Sequence, residues 1–289
     1  MRLQRTLRRV LAGAAALGAA ACSDFLAVDN PNVIDAGNID PVADAATLAN
    51  SAQQNFAAAY GWMIMQVPET LLGTAIATAM LPTLSELASR AQWHDFRLAV
   101  ERALRVLIAL TIPVAAVMAA GINPLVRAAF GLDAETSTLI TWTTRAYLLT
   151  LTGFSIQEIA ARSFYARKEP LFPLYAVILR LIMFIGIGYL GITFFKPIGA
   201  PIIAFAEIAL LIESIILFGW LSKRMHEPIV VWGAAVKGLV AAVIGGVIAY
   251  LLAVYIPGSA VLTALLGMTI GGLICLPIIW SEIKLLVKL

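Results

Sequence analysis

Apolar residues in this chain fall in blocks of about 20, separated by short polar stretches, from Gly61 almost to the carboxy terminus. Seven blocks cover roughly 61–84, 98–121, 138–158, 172–193, 198–220, 230–253 and 260–280. A helix needs about 20 apolar residues to cross the hydrocarbon core of a bilayer. A helix also satisfies its own backbone hydrogen bonds there, which an open strand cannot. The pattern predicts an all-α integral membrane protein with about seven transmembrane helices.

The first sixty residues follow a different rule. Arg2, Arg5, Arg8 and Arg9 precede a short apolar run from Val10 to Ala21, which is too short to span and rich in small residues. This is the layout of a secretory signal, assigned to residues 1–21. The sequence "GAAAC" ending at Cys22 resembles a bacterial lipobox, which would make the Cys22 thiol the site of lipidation. Residues 22–60 are polar and rich in Asp, Asn and Ala. They resemble the mature amino terminus of SusD/RagB-type outer-membrane lipoproteins, which bind glycans. A lone short helix is marginal in water, so residues 22–60 are predicted to be a disordered tether. The aspartates at 24, 29, 35, 40 and 44 lack the spacing of a calcium loop and read as a solvated acidic stretch.

Composition fits the membrane reading. The chain of 289 residues is 61% hydrophobic and 13% charged, with a mean hydropathy of +0.91. Soluble domains carry about 25% charged residues. The net charge of +3 is small, and the basic residues sit between apolar blocks without forming a nucleic-acid patch. Two cysteines, Cys22 and Cys275, lie in unlike surroundings and imply no disulfide framework.

Alternation of charge between loops gives an orientation. Arg90, Arg97, Arg102 and Arg105 follow the first block. Arg162, Arg167 and Lys168 follow the third, and Lys223 and Arg224 the fifth; Lys284 and Lys288 close the chain. The other loops carry only Arg127 and Lys196. The positive-inside rule then places the odd loops and the carboxy terminus in the cytoplasm, and residue 60 outside.

Two segments carry a resemblance. "MQVPETLLGTAIATAMLPTLSELA" (65–88) and "ARSFYARKEPLFPLYAVILR" (161–180) resemble the MurJ/MviN family of lipid II flippases, in the MOP exporter superfamily. The likeness runs from about residue 60 to the end. It implies helices eight to fourteen of that fold, residues 61–289 here, and a role in cell-wall biosynthesis in the bacterial inner membrane. It also implies a lipid-linked glycan precursor as substrate and an amino-terminal lobe as the missing partner. With the leader, the chain reads as a fusion that meets at Tyr60-Gly61-Trp62, incomplete and inactive alone. The alternatives are a SusD/RagB-like glycan-binding lipoprotein fragment, a non-functional fusion, or a polytopic transporter of another family.

The resemblance implies no bond chemistry; it calls for a cationic hydrated cavity and an apolar groove. The family's eighth helix commonly carries Arg and Glu before a proline, where this chain has Met63 and Gln66 before Pro68. Gln66 is left with either a phosphate or sugar contact or an interhelical one. Charges inside apolar blocks are costly and mark candidate sites. Arg180 and Glu213 lie at similar depth in antiparallel neighbours and read as an ion pair, structural or ion-coupling, with Glu207 the poorer partner. Arg145 reads as a cavity cation for the pyrophosphate or as a group packed on a carbonyl. Glu158 lies near a cytoplasmic end, and Lys196, Arg127 and Lys237 near block ends, where they would snorkel. "GIGYLG" (186–191) sits inside an apolar span, outside the strand–helix setting that a dinucleotide site needs. "GMTIG" (267–271) reads as a helix-packing face. Pro68, Pro113, Pro173 and Pro277 are candidate kinks. The last two blocks are candidates for the lipid-tail groove. His94 and His226 are far apart in sequence, and no cofactor, metal site or enzyme motif is predicted.

Overall fold

The computed structural model describes residues 45–194, 199–225, 227–256 and 258–288. The signal, Cys22 and the acidic stretch lie outside these residues, as do Lys196 and His226. The chain divides into two units, 1–50 and 51–289, and the fold described here is that of the second.

Helix α1 spans Ala45–Pro68, a single π-helical turn follows at Glu69–Thr74, and α2 continues through Ala75–Ser89. The π turn begins directly after Pro68, whose missing N–H interrupts the ladder. The Thr74 hydroxyl donates to Glu69 at 2.8 Å across this turn. The junction read at Tyr60 falls inside α1. Residues 51–60, assigned to the disordered tether, are helical and packed. Ala57 is buried, Phe56 and Tyr60 meet Phe130 edge to face with ring centres 5.7 and 4.7 Å apart, and Gln54 Oε1 accepts from the Ala200 amide at 2.6 Å. One face of this stretch is packed, through Ala57, while Ala52 and Ala59 remain exposed.

Helix α3 is the axis of the molecule. It runs 38 residues, Trp93–Phe130, or about 57 Å at 1.5 Å per residue. That exceeds the roughly 30 Å hydrocarbon core. Its first turns carry Arg97, Glu101 and Arg105 on one face, at the spacing of helical neighbours. Gly131 ends it in the left-handed conformation at φ 58°, which glycine reaches without steric cost.

The third apolar block forms two helices, α4 Ala134–Leu148 and α5 Leu151–Ala166. Among the described residues, six helices are long and apolar enough to cross a membrane, where the sequence reading has seven, and the broken third block accounts for the difference. The break at Leu149-Thr150 coincides with the Thr150 hydroxyl donating to the Tyr147 carbonyl at 2.7 Å. Hydroxyls of this kind compete with the ladder. Elsewhere on α4, Thr141, Thr143 and Thr144 return their hydroxyls to carbonyls four residues back. The polar side chains are thereby satisfied, and α4 can be buried among apolar neighbours.

Asp133 caps α4. Its carboxylate accepts from the Thr136 amide at 2.9 Å and the Thr136 hydroxyl at 2.7 Å. The amide bond and then the hydroxyl bond hold this carboxyl below the usual carboxylate range. The stabilisation is therefore present above the unfolded carboxylate range and is lost as pH falls through the lowered folded value. Asp133→Ala is expected to lower the thermal midpoint in detergent at neutral pH, with wild type and variant converging at strongly acid pH.

Helix α6, Leu171–Phe194, is outermost. Its Leu174, Val177, Ile178, Leu181, Ile182 and Ile185 are exposed, as suits a lipid-facing helix. The next span is α7 Ala200–Ala206 and α8 Ile208–Arg224, joined by a turn at Glu207. Helices α9 Trp232–Tyr255 and α10 Ala260–Ile283 form a tight hairpin packed on α3, and a 3₁₀ turn at Lys284–Lys288 follows. The glycines of 267–271 are its seam. A Cβ on Gly267 would lie 2.7 Å from the Ala249 carbonyl oxygen, and one on Gly271 2.5 Å from that of Gly245. The expected packing face is found, and Cys275 is buried beside it.

Candidate functional site

The membrane-level charges gather in two places. Around α6 and α8, the Arg180 guanidinium donates from Nη2 to Glu207 Oε2 at 2.8 Å. Its Nε lies 3.8 Å from Glu213 Oε2, and its carbon lies 5.6 Å from the Phe154 ring centre. The sequence reading pairs Arg180 with Glu213 and demotes Glu207. The structure holds both carboxylates within ion-pair distance of Arg180, with Glu207 the nearer. The turn at Glu207 interrupts the helix, so depth reckoned on one continuous helix misplaces its side chain. Glu213 is wholly buried, and neither of its oxygens has a hydrogen-bond partner.

Arg145 is the second feature. It projects from α4 into a cavity of about 660 Å³ between α3, α4, α6 and α7. The other walls include Ala119, Trp142, Leu149, Leu190, Phe194 and Phe205. Trp142, Leu149, Leu190, Phe194 and Phe205 are exposed, so the cavity opens at the surface. Arg145 Nε donates to the Ala119 carbonyl at 2.9 Å, and its guanidinium stacks 4.9 Å from the Trp142 ring centre. Among the described residues no carboxylate forms an ion pair with it. The carbonyl contact and the cavity setting, read as alternatives in the sequence, are both present.

The remaining candidates lie elsewhere. Gln66 is exposed on α1, and no interhelical hydrogen bond reaches it among those described. Glu158 pairs with Arg162, four residues on along α5. Arg162 also reaches the Thr78 hydroxyl at 3.2 Å. Lys237, read as snorkelling, instead bonds Glu282 at 2.6 Å and Ser281 at 2.7 Å.

That last contact belongs to a network that sequence reasoning missed. Glu282, wholly buried near the end of α10, accepts two bonds from Arg105, at 2.9 and 3.2 Å, besides the one from Lys237. Arg97 Nη1 continues the line to Glu101 at 3.3 Å. The spacing of Arg97, Glu101 and Arg105 by four was the available signal. Counting them as loop residues hid it. Three helices, α3, α9 and α10, are clamped at one end by a single carboxylate.

A second cavity, of about 240 Å³, lies between α3 and α10 and is lined by Leu110, Pro113, Val117, Met118, Met268 and Leu276 among others. It carries no charge. Among the described residues no group of three or more His, Cys, Asp or Glu could hold a metal ion.

Comparison with known proteins places the whole assembly. The chain is 29% identical over 185 residues to the lipid II flippase MurJ of Burkholderia cenocepacia, covering 60% of this chain and 34% of that protein. It is 24% identical over 168 residues to a probable lipid II flippase MurJ of Synechocystis, covering 57% and 31%. The chain thus spans about a third of the length of the curated relatives it matches. A solved lipid II flippase MurJ in an inward closed conformation shares the fold, with a TM-score of 0.66 at 18% identity, over 80% of this chain and 48% of that one. The family model for lipid II flippase MurJ, a family of transporters, matches residues 45–269. The match takes in residues 45–60, the end of the lipoprotein-like leader read over 1–60, and residues 1–44 lie outside it. With three quarters of its length under that match, this multi-pass membrane protein belongs to the lipid II flippase MurJ family.

Proposed function

We propose that this chain is a lobe of a lipid II flippase, the half that corresponds to helices eight to fourteen. It would help carry an undecaprenyl-pyrophosphate-linked peptidoglycan precursor across the bacterial inner membrane. The odd loops and the carboxy terminus would face the cytoplasm, as the loop charges require, and an amino-terminal-type lobe would complete the path.

One observation carries the reading: among the described residues Arg145 has no acidic partner, and it stands in an open apolar cavity. The amphiphile to be moved has an anionic head and a long hydrocarbon tail. An unpaired guanidinium is suited to phosphate oxygens, with its planar fork and permanent charge. Its Nε is already fixed by the Ala119 carbonyl and its face by Trp142, so its orientation is set before any ligand arrives. In a low-dielectric setting such a charge attracts an anion far more strongly than it would in water. The apolar walls accept the first part of the chain. The uncharged cavity between α3 and α10 is the candidate continuation for the tail, on the hairpin that the sequence reading chose for it.

Transport by this scheme breaks no bond. Arg145 attracts and holds the pyrophosphate, the apolar walls shield the tail, and rocking of the lobes about the site exposes it to each side in turn.

The test is a hybrid in which this chain replaces the matching segment of the Burkholderia cenocepacia flippase, in a strain depleted of its own flippase. The hybrid is expected to support growth, and its Arg145→Gln form to fail while accumulating in the membrane at the same level. Growth unaffected by Arg145→Gln would refute the assigned role.

A further inference from the structure

Arg180 is one cation serving two carboxylates. It bonds Glu207 at 2.8 Å, while Glu213 stands 3.8 Å off, wholly buried, with both oxygens lacking a hydrogen-bond partner. An ionised carboxylate in that state, inside a membrane helix, is costly. Two ionised acids on one guanidinium would also leave a net negative charge in the hydrocarbon. A single proton removes both costs. The geometry favours one place for it: Glu207 accepts the short bond from Arg180 and is better suited to stay ionised, which leaves the proton to Glu213.

Among the described residues the surroundings offer no other counter-charge. From α6 the charged group is Arg180, the exposed Tyr175 and Tyr189 being the other titratable side chains of that helix. From α5 the ring of Phe154 underlies the guanidinium, while Glu158 and Arg162 are paired with each other. Helix α7 contributes no titratable residue. On α8, Lys223 and Arg224 lie in the last turn, and the Ser214 hydroxyl beside Glu213 is spent on the Leu211 carbonyl at 2.8 Å. Tyr147 of α4 stands near Glu207.

We propose that Glu213 is a proton-binding site, and that Glu207, Glu213 and Arg180 form an exchange device holding one shared proton. In the arrangement seen, Glu213 carries the proton and Arg180 pairs with Glu207. In the other, the proton has passed from a Glu213 oxygen to a Glu207 oxygen and Arg180 has moved to the Glu213 carboxylate. Both arrangements contain one cation, one carboxylate and one acid, so the net charge never changes. The exchange moves the ion pair from the turn before α8 to the interior of α8, which alters how α6 is held against that span. Two acids coupled this closely titrate as a pair.

This deepens the transport reading by naming a proton-dependent contact between α6 and α8 that would shift as the lobe moves, and it rests on that reading only for that link to transport. The site itself is tested without transport. Infrared spectroscopy of the chain in lipid at neutral pH reads the carbonyl stretch of protonated carboxyl groups. Wild type is expected to show it. Glu213→Gln is expected to lose it, because Glu207 remains the paired carboxylate. Glu207→Gln is expected to lose it as well, because Arg180 is then free to ionise Glu213. Arg180→Gln is expected to strengthen it, since both acids then hold protons. A signal unchanged in Glu213→Gln overturns the proton site. A signal kept in Glu207→Gln overturns the exchange. Failure of the hybrid to support growth would speak against the flippase reading and leave these spectra untouched.

Discussion

The double variant Arg105→Leu/Lys237→Leu is expected to lose about 3–5 kcal/mol of stability, the range for leaving a buried charge without its partners. Adding Glu282→Leu is expected to restore most of that loss. Glu282 is wholly buried and is held by Arg105 and Lys237 from α3 and α9. Removing both cations strands an anion in the protein interior. Removing all three leaves leucines of similar reach, and such replacements of buried ion clusters are often neutral or better. Glu282→Ala alone is expected to cost less than the double variant, because Arg105 and Lys237 are partly exposed and can turn to water. Thermal unfolding in detergent, followed by tryptophan fluorescence, ranks the four proteins. A triple variant no more stable than the double would show that the clamp contributes more than charge balance.

Gly271→Leu is expected to be worse than any single substitution in that clamp, at about 3 kcal/mol, the upper end of overpacking. The reason is what a side chain would meet. At Gly271 the first obstacle is the Gly245 carbonyl oxygen, 2.5 Å from an added Cβ. Backbone cannot swing aside as a flexible side chain can, so α9 and α10 must separate. Gly272 is the matched control, since a Cβ there meets nothing within 4 Å, and Gly272→Leu is expected to change the midpoint little. Equal effects at both positions would contradict the seam.

Much of the fold was legible because membrane helices announce themselves by length and apolarity. The positions of α3, α6, α8, α9 and α10 follow directly from the blocks. The third block was legible as helical and not as broken, because the break at Leu149-Thr150 falls between residues whose hydropathy does not mark it. The start of the fold was misplaced for a related reason. Gln54, Phe56 and Ala57 look like a solvated segment by composition, yet they make a cap, a ring cluster and a close contact.

The site was legible residue by residue more than as a geometry. Arg145, Arg180, Glu207 and Glu213 stand out as charges inside apolar blocks, and all four lie where helices meet. Which carboxylate Arg180 bonds depended on a turn at Glu207 that periodicity misses. Glu282 was overlooked because it lies beside lysines at the end of the chain, where a charge ordinarily needs no explanation. Only the arrival of α3 and α9 around it makes it a buried anion.

A flippase lobe of this kind requires that the cavity at Arg145 receive a lipid-linked pyrophosphate. The direct measurement is native mass spectrometry of the purified chain with undecaprenyl pyrophosphate, undecaprenyl monophosphate and the uncharged polyprenol, each offered to wild type and to Arg145→Gln. Retention of the pyrophosphate lipid above the other two, lost in Arg145→Gln, is the result expected. Equal retention of all three lipids, or the same retention by both proteins, would contradict it.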